Sequence, residues 1–175
     1  LETILLFQPI VDAQAQYMDI YCGEWLTWTE SPCQGIYGLF LVKPQEVHVG
    51  VVVQMLTVQN NRPLTPPFYY EWVEAGWVQY ASSHRYLFIK YDTLQTGWVS
   101  PMPTIVPRWN ETIVCNIKMV SSLQWQVVIG GECGTINMLI NFSNPPNCFG
   151  AFTKSLSSVN RVDMSFKNLV WYATE

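Results

Sequence analysis

Apolar and polar positions alternate with a period of two along most of the chain, the signature of half-buried strands. Val47, Val49, Val51, Val53 and Met55 interleave with His48, Gly50, Val52, Gln54 and Leu56. Leu123, Trp125, Val127 and Ile129 alternate with Gln124, Gln126 and Val128, and Ile136, Met138, Ile140 and Phe142 form another face. Val162, Met164 and Phe166, with the apolar run Leu169 to Tyr172, predict one long strand or two offset ones. Shorter β-branched and aromatic runs predict strands over 3–10, 16–22, 36–42, 68–73, 85–91 and 149–153. Turn signals separate them: Asn60-Asn61-Arg62-Pro63, Pro66-Pro67, Gly130-Gly131 and Asn144-Pro145-Pro146-Asn147. Residues 93–107, with Gly97 and three prolines, read as a surface excursion. No stretch sustains a 3.6-residue stripe over three turns. The pattern predicts an all-β fold, an antiparallel β-sandwich or jelly roll of the concanavalin-like kind, as one domain over residues 1–175.

Composition narrows the function classes. Charged residues make up 13% of the chain, against a usual ~25%, so neutral polar groups must solvate the surface. The net charge is −4 and no basic run exists, so a phosphate-binding footprint is missing and no nucleic-acid partner is expected. No apolar run is long enough for a transmembrane helix. No cofactor is expected, since G-x-G-x-x-G and Walker motifs are absent, and two histidines with no C-x-x-C make a poor metal set.

Of the five cysteines, Cys22 with Cys33 and Cys133 with Cys148 have loop-scale spacings and are expected as disulfides. Four bridging cysteines permit three connectivities, and spacing alone leaves the choice open. Cys115 shares a face with Ile113, Ile117 and Met119 and is expected as a buried free thiol. Asn110-Glu111-Thr112 and Asn141-Phe142-Ser143 are glycosylation sequons. Together with the cysteines, and with Leu1 read as a processed end, they predict a secreted, extracellular or cell-surface protein.

One ordered set of segments carries a resemblance. Tyr21-Cys22-Gly23-Glu24-Trp25 comes first, then Val51-Val52-Val53-Gln54, then Pro67-Phe68-Tyr69-Tyr70-Glu71-Trp72-Val73-Glu74. Val106-Pro107-Arg108-Trp109-Asn110-Glu111-Thr112-Ile113 and Val162-Asp163-Met164-Ser165-Phe166-Lys167-Asn168 follow. This order resembles the eqolisins, acid peptidases that use a glutamine–glutamate dyad on a jelly-roll sandwich. The resemblance implies Gln54 as the catalytic glutamine, with Trp72 and Glu74 nearby, and an insertion at about Trp77 to Ser100. The family's glutamate precedes the final strand, where this chain reads Asn147-Cys148-Phe149-Gly150-Ala151-Phe152 without a carboxylate. Glu132 is the nearest acid and lies too early. A glutamine alone can orient water or stabilise an oxyanion but cannot be the general base.

Two further features bear on function. Trp25, Trp28, Trp72 and Trp77 could line a carbohydrate cleft, or serve packing; Trp98 and Trp109 stand in loop-like contexts. Ile4, Leu5, Leu6, Phe7 and Ile10 make residues 1–15 a candidate edge strand, either self-paired or donated to a neighbouring subunit. The sequence therefore predicts a non-catalytic secreted structural or adhesive subunit of an extracellular assembly, filament- or pilus-like, self-associating through strand addition. The alternatives are an acid glutamic peptidase using Gln54 and a glycan-binding sandwich.

Overall fold

The structure, a computed structural model, describes residues 20–27, 33–60, 71–94, 96–99 and 104–173, with residues 20–27, 33, 98–99 and 171–173 described by their backbone alone. The expected N-terminal strand with Ile4, Leu5, Leu6, Phe7 and Ile10 lies outside these residues, as does Trp28. Among the described residues every regular element is a strand: β1 (Ile20–Thr27), β2 (Cys33–Leu41), β3 (Val51–Asn60), β4 (Glu71–Tyr80), β5 (Arg85–Thr93), β6 (Gly97–Val99), β7 (Thr112–Met119), β8 (Gln124–Gly131), β9 (Gly134–Asn141), β10 (Cys148–Ser155) and β11 (Phe166–Ala173). They form two antiparallel sheets. The first runs β1-β10-β3-β4-β5-β6 and the second β11-β2-β7-β8-β9. This is the β-sandwich that the alternation predicts.

The core between the sheets follows from the pleat, because alternate side chains leave each sheet on opposite faces. Leu56 and Val58 of β3, Val73, Ala75 and Trp77 of β4, and Leu87 and Ile89 of β5 meet Ile36 and Phe40 of β2, Ile113 and Ile117 of β7, and Trp125, Val127 and Ile129 of β8. Trp125 packs edge-on against Phe142, with ring centroids 6.2 Å apart. Cys115 belongs to this core as expected, fully buried, its thiol 3.6 Å from the Ala75 carbonyl oxygen.

A second, smaller cluster lies on the outer face of the six-stranded sheet. Val53, Met55, Val78 and Phe88 are buried there, with Val51, Tyr86 and Phe152 packed against them. Gly76 sits at its centre, paired in register with Met55 on one side and Phe88 on the other.

Several boundaries differ from the sequence reading. The strand expected over 47–56 starts at Val51, because the residues before it spend their hydrogen bonds on side chains. The Asn160 carboxamide oxygen accepts from the backbone N–H of His48 at 2.8 Å and of Val49 at 3.0 Å. Gln45 and Gln79 exchange two bonds of 2.9 Å. The described residues of the segment expected as an insertion, Trp77 to Leu94 and Thr96 to Val99, are folded into the sheet: Trp77 is mid-β4, a hairpin leads into β5, and β6 adds a short edge. Gly130 and Gly131 belong to β8, and the turn falls on Glu132 and Cys133. Extension from Val162 does not run unbroken, since the β11–β2 register shifts between Lys167 and Val170, where Asn168 has a φ of 51°.

The Cys133–Cys148 disulfide is corrected: Cys133 is a free thiol. It lies in the turn before β9, whereas Cys148 opens β10 on the other sheet, beyond the opposite end of β9. A strand of this length spans ~26 Å, far beyond the ~7 Å that a disulfide allows between Cα atoms. The side chains of Cys22 and Cys33 lie outside the described set.

A Cβ built on Gly76 would strike the backbone carbonyl oxygen of Gln54 and approach Met55 Cα to 2.7 Å. Both are backbone atoms of the paired strand, so β3 and β4 would have to separate. Gly76→Ala is expected to destabilise the fold by about 1–3 kcal/mol, read from the midpoint of urea unfolding with an unchanged slope.

Candidate functional site

Gln54 is the residue on which a catalytic reading turns, and the pleat settles its direction. It is fully buried and faces inward, between the sheets. Its carboxamide oxygen accepts from Trp77 Nε1 at 2.8 Å, and its nitrogen donates to the Ser165 carbonyl oxygen at 2.9 Å. Both of its strong polar functions are thus used within the fold. Glu74 and Trp72 are two and four residues before Gly76, the register partner of the outward-facing Met55, and their parity puts them on the outer face. Of the residues expected near one another, Gln54 is on one side of the sheet and Trp72 and Glu74 are on the opposite side. The expected tryptophan cleft divides in the same way, with Trp77 in the core and Trp72 outside.

The outer face carries a more accessible set. Cross-strand register lines up Gln59, Trp72 and Asp92 in one row and Thr57, Glu74 and Lys90 in the next. Cys148 and Gly150 of β10 complete the two rows beside β3. Thr57 is buried and bonds the Val73 carbonyl oxygen at 3.1 Å, while Gln59, Trp72, Glu74, Lys90 and Asp92 are half-buried. Gln59 Nε2 lies 3.7 Å from Cys148 Sγ, and the Lys90 ammonium sits 5.0 Å from the Phe88 ring centroid. One end of this face is thus the apolar cluster around Gly76, and the other is an aromatic ring flanked by an amide and carboxylates. Such a surface can stack a planar group on Trp72 and hydrogen-bond its edges. Sequence reasoning singled out Trp72 and Glu74 but missed Gln59, Lys90 and Asp92, whose membership depends on strand register.

Among the other described carboxylates, Glu71 is structural. Glu71 is fully buried and accepts backbone N–H bonds from Ser143, 2.9 Å to each oxygen, from Leu94 at 3.0 Å and from Asn144 at 3.3 Å. It ties the start of β4 to the segment that enters β10. Glu132, the nearest acid to the missing catalytic glutamate, is exposed and pairs with Arg108 at 3.7 Å. Arg85 stacks over the half-buried Trp109 ring at 3.9 Å. Asn110 and Asn141, the sequon residues, are both exposed. His84 and His48 are exposed as well. Among the described residues no group of three metal-ligating side chains converges, and no helix is long and apolar enough to cross a membrane.

Three structural neighbours share this architecture. A crystal structure of scytalido-glutamic peptidase with a transition-state analog inhibitor superposes with a TM-score of 0.61 at 8% identity, covering 91% of this chain and 84% of that one. A second structure of that peptidase, with a peptide-based transition-state analog, gives 0.57 at 9% identity over 86% and 76% of the two chains. SCP-B, a member of the eqolisin family of peptidases in complex with a tripeptide, gives 0.57 at 9% identity over 90% and 83%. At these identities the likeness is one of fold, and it agrees with the motif order read from the sequence. No protein-family profile matches the chain, and no curated protein matches it in sequence.

Glu111 provides a pH-sensitive point beside β7. Its carboxylate accepts from Arg108 N–H and Cys133 N–H, both at 2.7 Å. Burial pushes its pKa up, but these backbone donors and the Arg108 charge outweigh burial and hold it below the ordinary glutamate value. Burial, and then Glu111 itself, push the neighbouring Cys133 thiol up to about 11. Because the folded pKa is depressed, Glu111 stabilises the fold above the unfolded value of ~4.3 and loses that contribution as pH falls through the folded value. Glu111→Gln is expected to cost about 1.5–3 kcal/mol at neutral pH and to flatten the acid limb of stability against pH, followed by thermal unfolding across a pH series.

Proposed function

We propose that this chain is a non-catalytic, exported sandwich domain, a structural or adhesive subunit of an extracellular assembly on the eqolisin-like fold. The observation that carries the reading is the position of Gln54. A residue buried between two sheets, with its oxygen held by Trp77 and its nitrogen by Ser165, cannot reach a scissile bond. The adhesive surface is the outer face of the six-stranded sheet, around Gln59, Trp72, Glu74, Lys90 and Asp92. Export fits a surface solvated by neutral amides and hydroxyls, with Asn110 and Asn141 exposed as glycan acceptors.

A saccharide ligand is favoured by one feature, the row in which Trp72 is flanked by Gln59 and Asp92. An aromatic face between hydrogen-bonding side chains suits a pyranose ring and its equatorial hydroxyls.

Incubation with casein at acid pH tests the first half. No cleavage is expected, and Gln54→Ala should lower stability by about 2–5 kcal/mol, because it opens a core cavity and strands the Trp77 N–H. Casein cleavage by the wild type that Gln54→Ala abolishes in a still-folded protein would falsify the non-catalytic reading. The surface is tested by titrating casein peptides and soluble oligosaccharides against tryptophan fluorescence. Trp72→Ala should remove binding of the polymer that binds, with the far-ultraviolet circular dichroism unchanged. Binding that survives this substitution would place the adhesive surface elsewhere.

A further inference from the structure

The five-stranded sheet has two outer strands, and only one of them is guarded. β11 carries Lys167, an Asn168 with positive φ and two register shifts against β2, all of which spoil an edge for further pairing. β9 has no lysine and no register shift, and its one residue of positive φ, Gly134, stands at the turn that opens the strand. It reads Gly-Thr-Ile-Asn-Met-Leu-Ile-Asn from Gly134 to Asn141, with no charge and no proline. Its register with β8 runs unbroken from Gly134 opposite Gly131 to Asn141 opposite Gln124. Among the described residues no strand lies on its far side. The core also runs out to this edge. Ile136 and Met138 pack against the main cluster yet stay half-buried, and Leu139 on the outer face is 56% exposed.

The sequence of β9 is self-complementary about Met138. Going outward from Met138, the positions are Asn137 and Leu139, then Ile136 and Ile140, then Thr135 and Asn141. The inward face therefore reads isoleucine, methionine, isoleucine in either direction, and both ends are polar. A second copy laid antiparallel must keep inward residues opposite inward residues, since a one-residue slip exchanges the faces. The register centred on Met138 meets that condition and pairs the strand over its whole length from Thr135 to Asn141. Ile136 then faces Ile140 of the second copy, Asn137 faces Leu139, and Met138 faces itself.

We propose that β9 is a self-association edge, which pairs with β9 of a second copy about a two-fold axis at Met138 and joins the two five-stranded sheets into one continuous sheet. No charge is buried, and the half-exposed Ile136 and Met138 gain partners of their own kind. The contact is isologous and closes at two copies. Asn141 projects from the outer face rather than along the hydrogen-bonding plane, so a glycan there points away from the new strand pair. This surface lies on the sheet opposite to the adhesive face, and it holds or fails independently of that reading.

Sedimentation equilibrium of the intact chain over a wide concentration range tests it. The wild type should show a monomer–dimer equilibrium. Leu139→Lys sets a charge in the middle of the edge at an exposed position, so the thermal midpoint at concentrations where the wild type is monomeric should stay and the association constant should fall about tenfold or more. Adding Asn137→Glu to Leu139→Lys places a carboxylate opposite the partner's new ammonium in the Met138 register and should recover most of the loss. A wild type that is monomeric throughout, or a dimer indifferent to Leu139→Lys, overturns the proposal. A dimer weakened by Leu139→Lys and not recovered by the second substitution overturns the Met138 register.

Discussion

A buried carboxamide holds the two sheets in relation to each other. Gln54 lies in the apolar layer, where an unpaired amide would cost ~1–3 kcal/mol per lost partner. Its oxygen is taken by the indole N–H of Trp77 on the adjacent strand, and its nitrogen reaches across to the Ser165 carbonyl at the entry to β11. The first bond fixes the ring of one of the two buried tryptophans of the core. The second fixes where the opposite sheet begins. Glu71 does comparable work at the far end of the same sheet, where one carboxylate collects N–H groups from Leu94, Ser143 and Asn144. The sandwich is thus fastened at two polar points with apolar packing between them, and both fastenings are fully satisfied, as low-dielectric surroundings require.

This changes what the motif resemblance means. The segments around Gln54, Trp72 and Asn168 fall in the order seen in a peptidase family, and the fold agrees. Residues that share a site, however, need their side chains on one face, and period two makes face a matter of parity. Gln54 pairs with Trp77, an inward residue, while Glu74 pairs with Thr57 and Lys90 on the outward side. The same motif order can therefore keep the architecture while the residue types that suggest chemistry stand on opposite sides of a sheet.

Much of the architecture was legible in the sequence, for a physical reason. β8 and β9 place an apolar residue at every inward position, Trp125, Val127 and Ile129 on one and Ile136, Met138 and Ile140 on the other, so their core faces, and the burial of Cys115 on β7, follow directly. Around Gln54 the alternation fails. Val51, Val52 and Val53 are all apolar because the outer face there carries its own cluster with Met55, Val78 and Phe88, and a strand that is greasy on both sides hides its parity. The late start of β3 was hidden because Asn160, more than a hundred residues away, takes its hydrogen bonds. The surface row of Gln59, Trp72 and Asp92 was hidden because it comes from three strands and exists only once their register is set.

The place of β10 has a consequence in time. It lies between β1 and β3, hydrogen-bonded to both, yet it is among the last strands in the chain. β3, β4 and β5 follow one another in the chain and can pair early as a meander. Until residues near 148–155 emerge and insert, one long side of β3 has no strand against it, and that strand reads Val-Val-Val-Gln-Met-Leu-Thr-Val-Gln-Asn, without a charge. Closing the sheet means bringing together segments roughly ninety residues apart, an entropic delay that grows with sequence separation. During synthesis the nascent chain therefore passes through a stage with an open, uncharged strand edge, so its yield in a cell depends on how fast the C-terminal third arrives or on what shields β3 meanwhile.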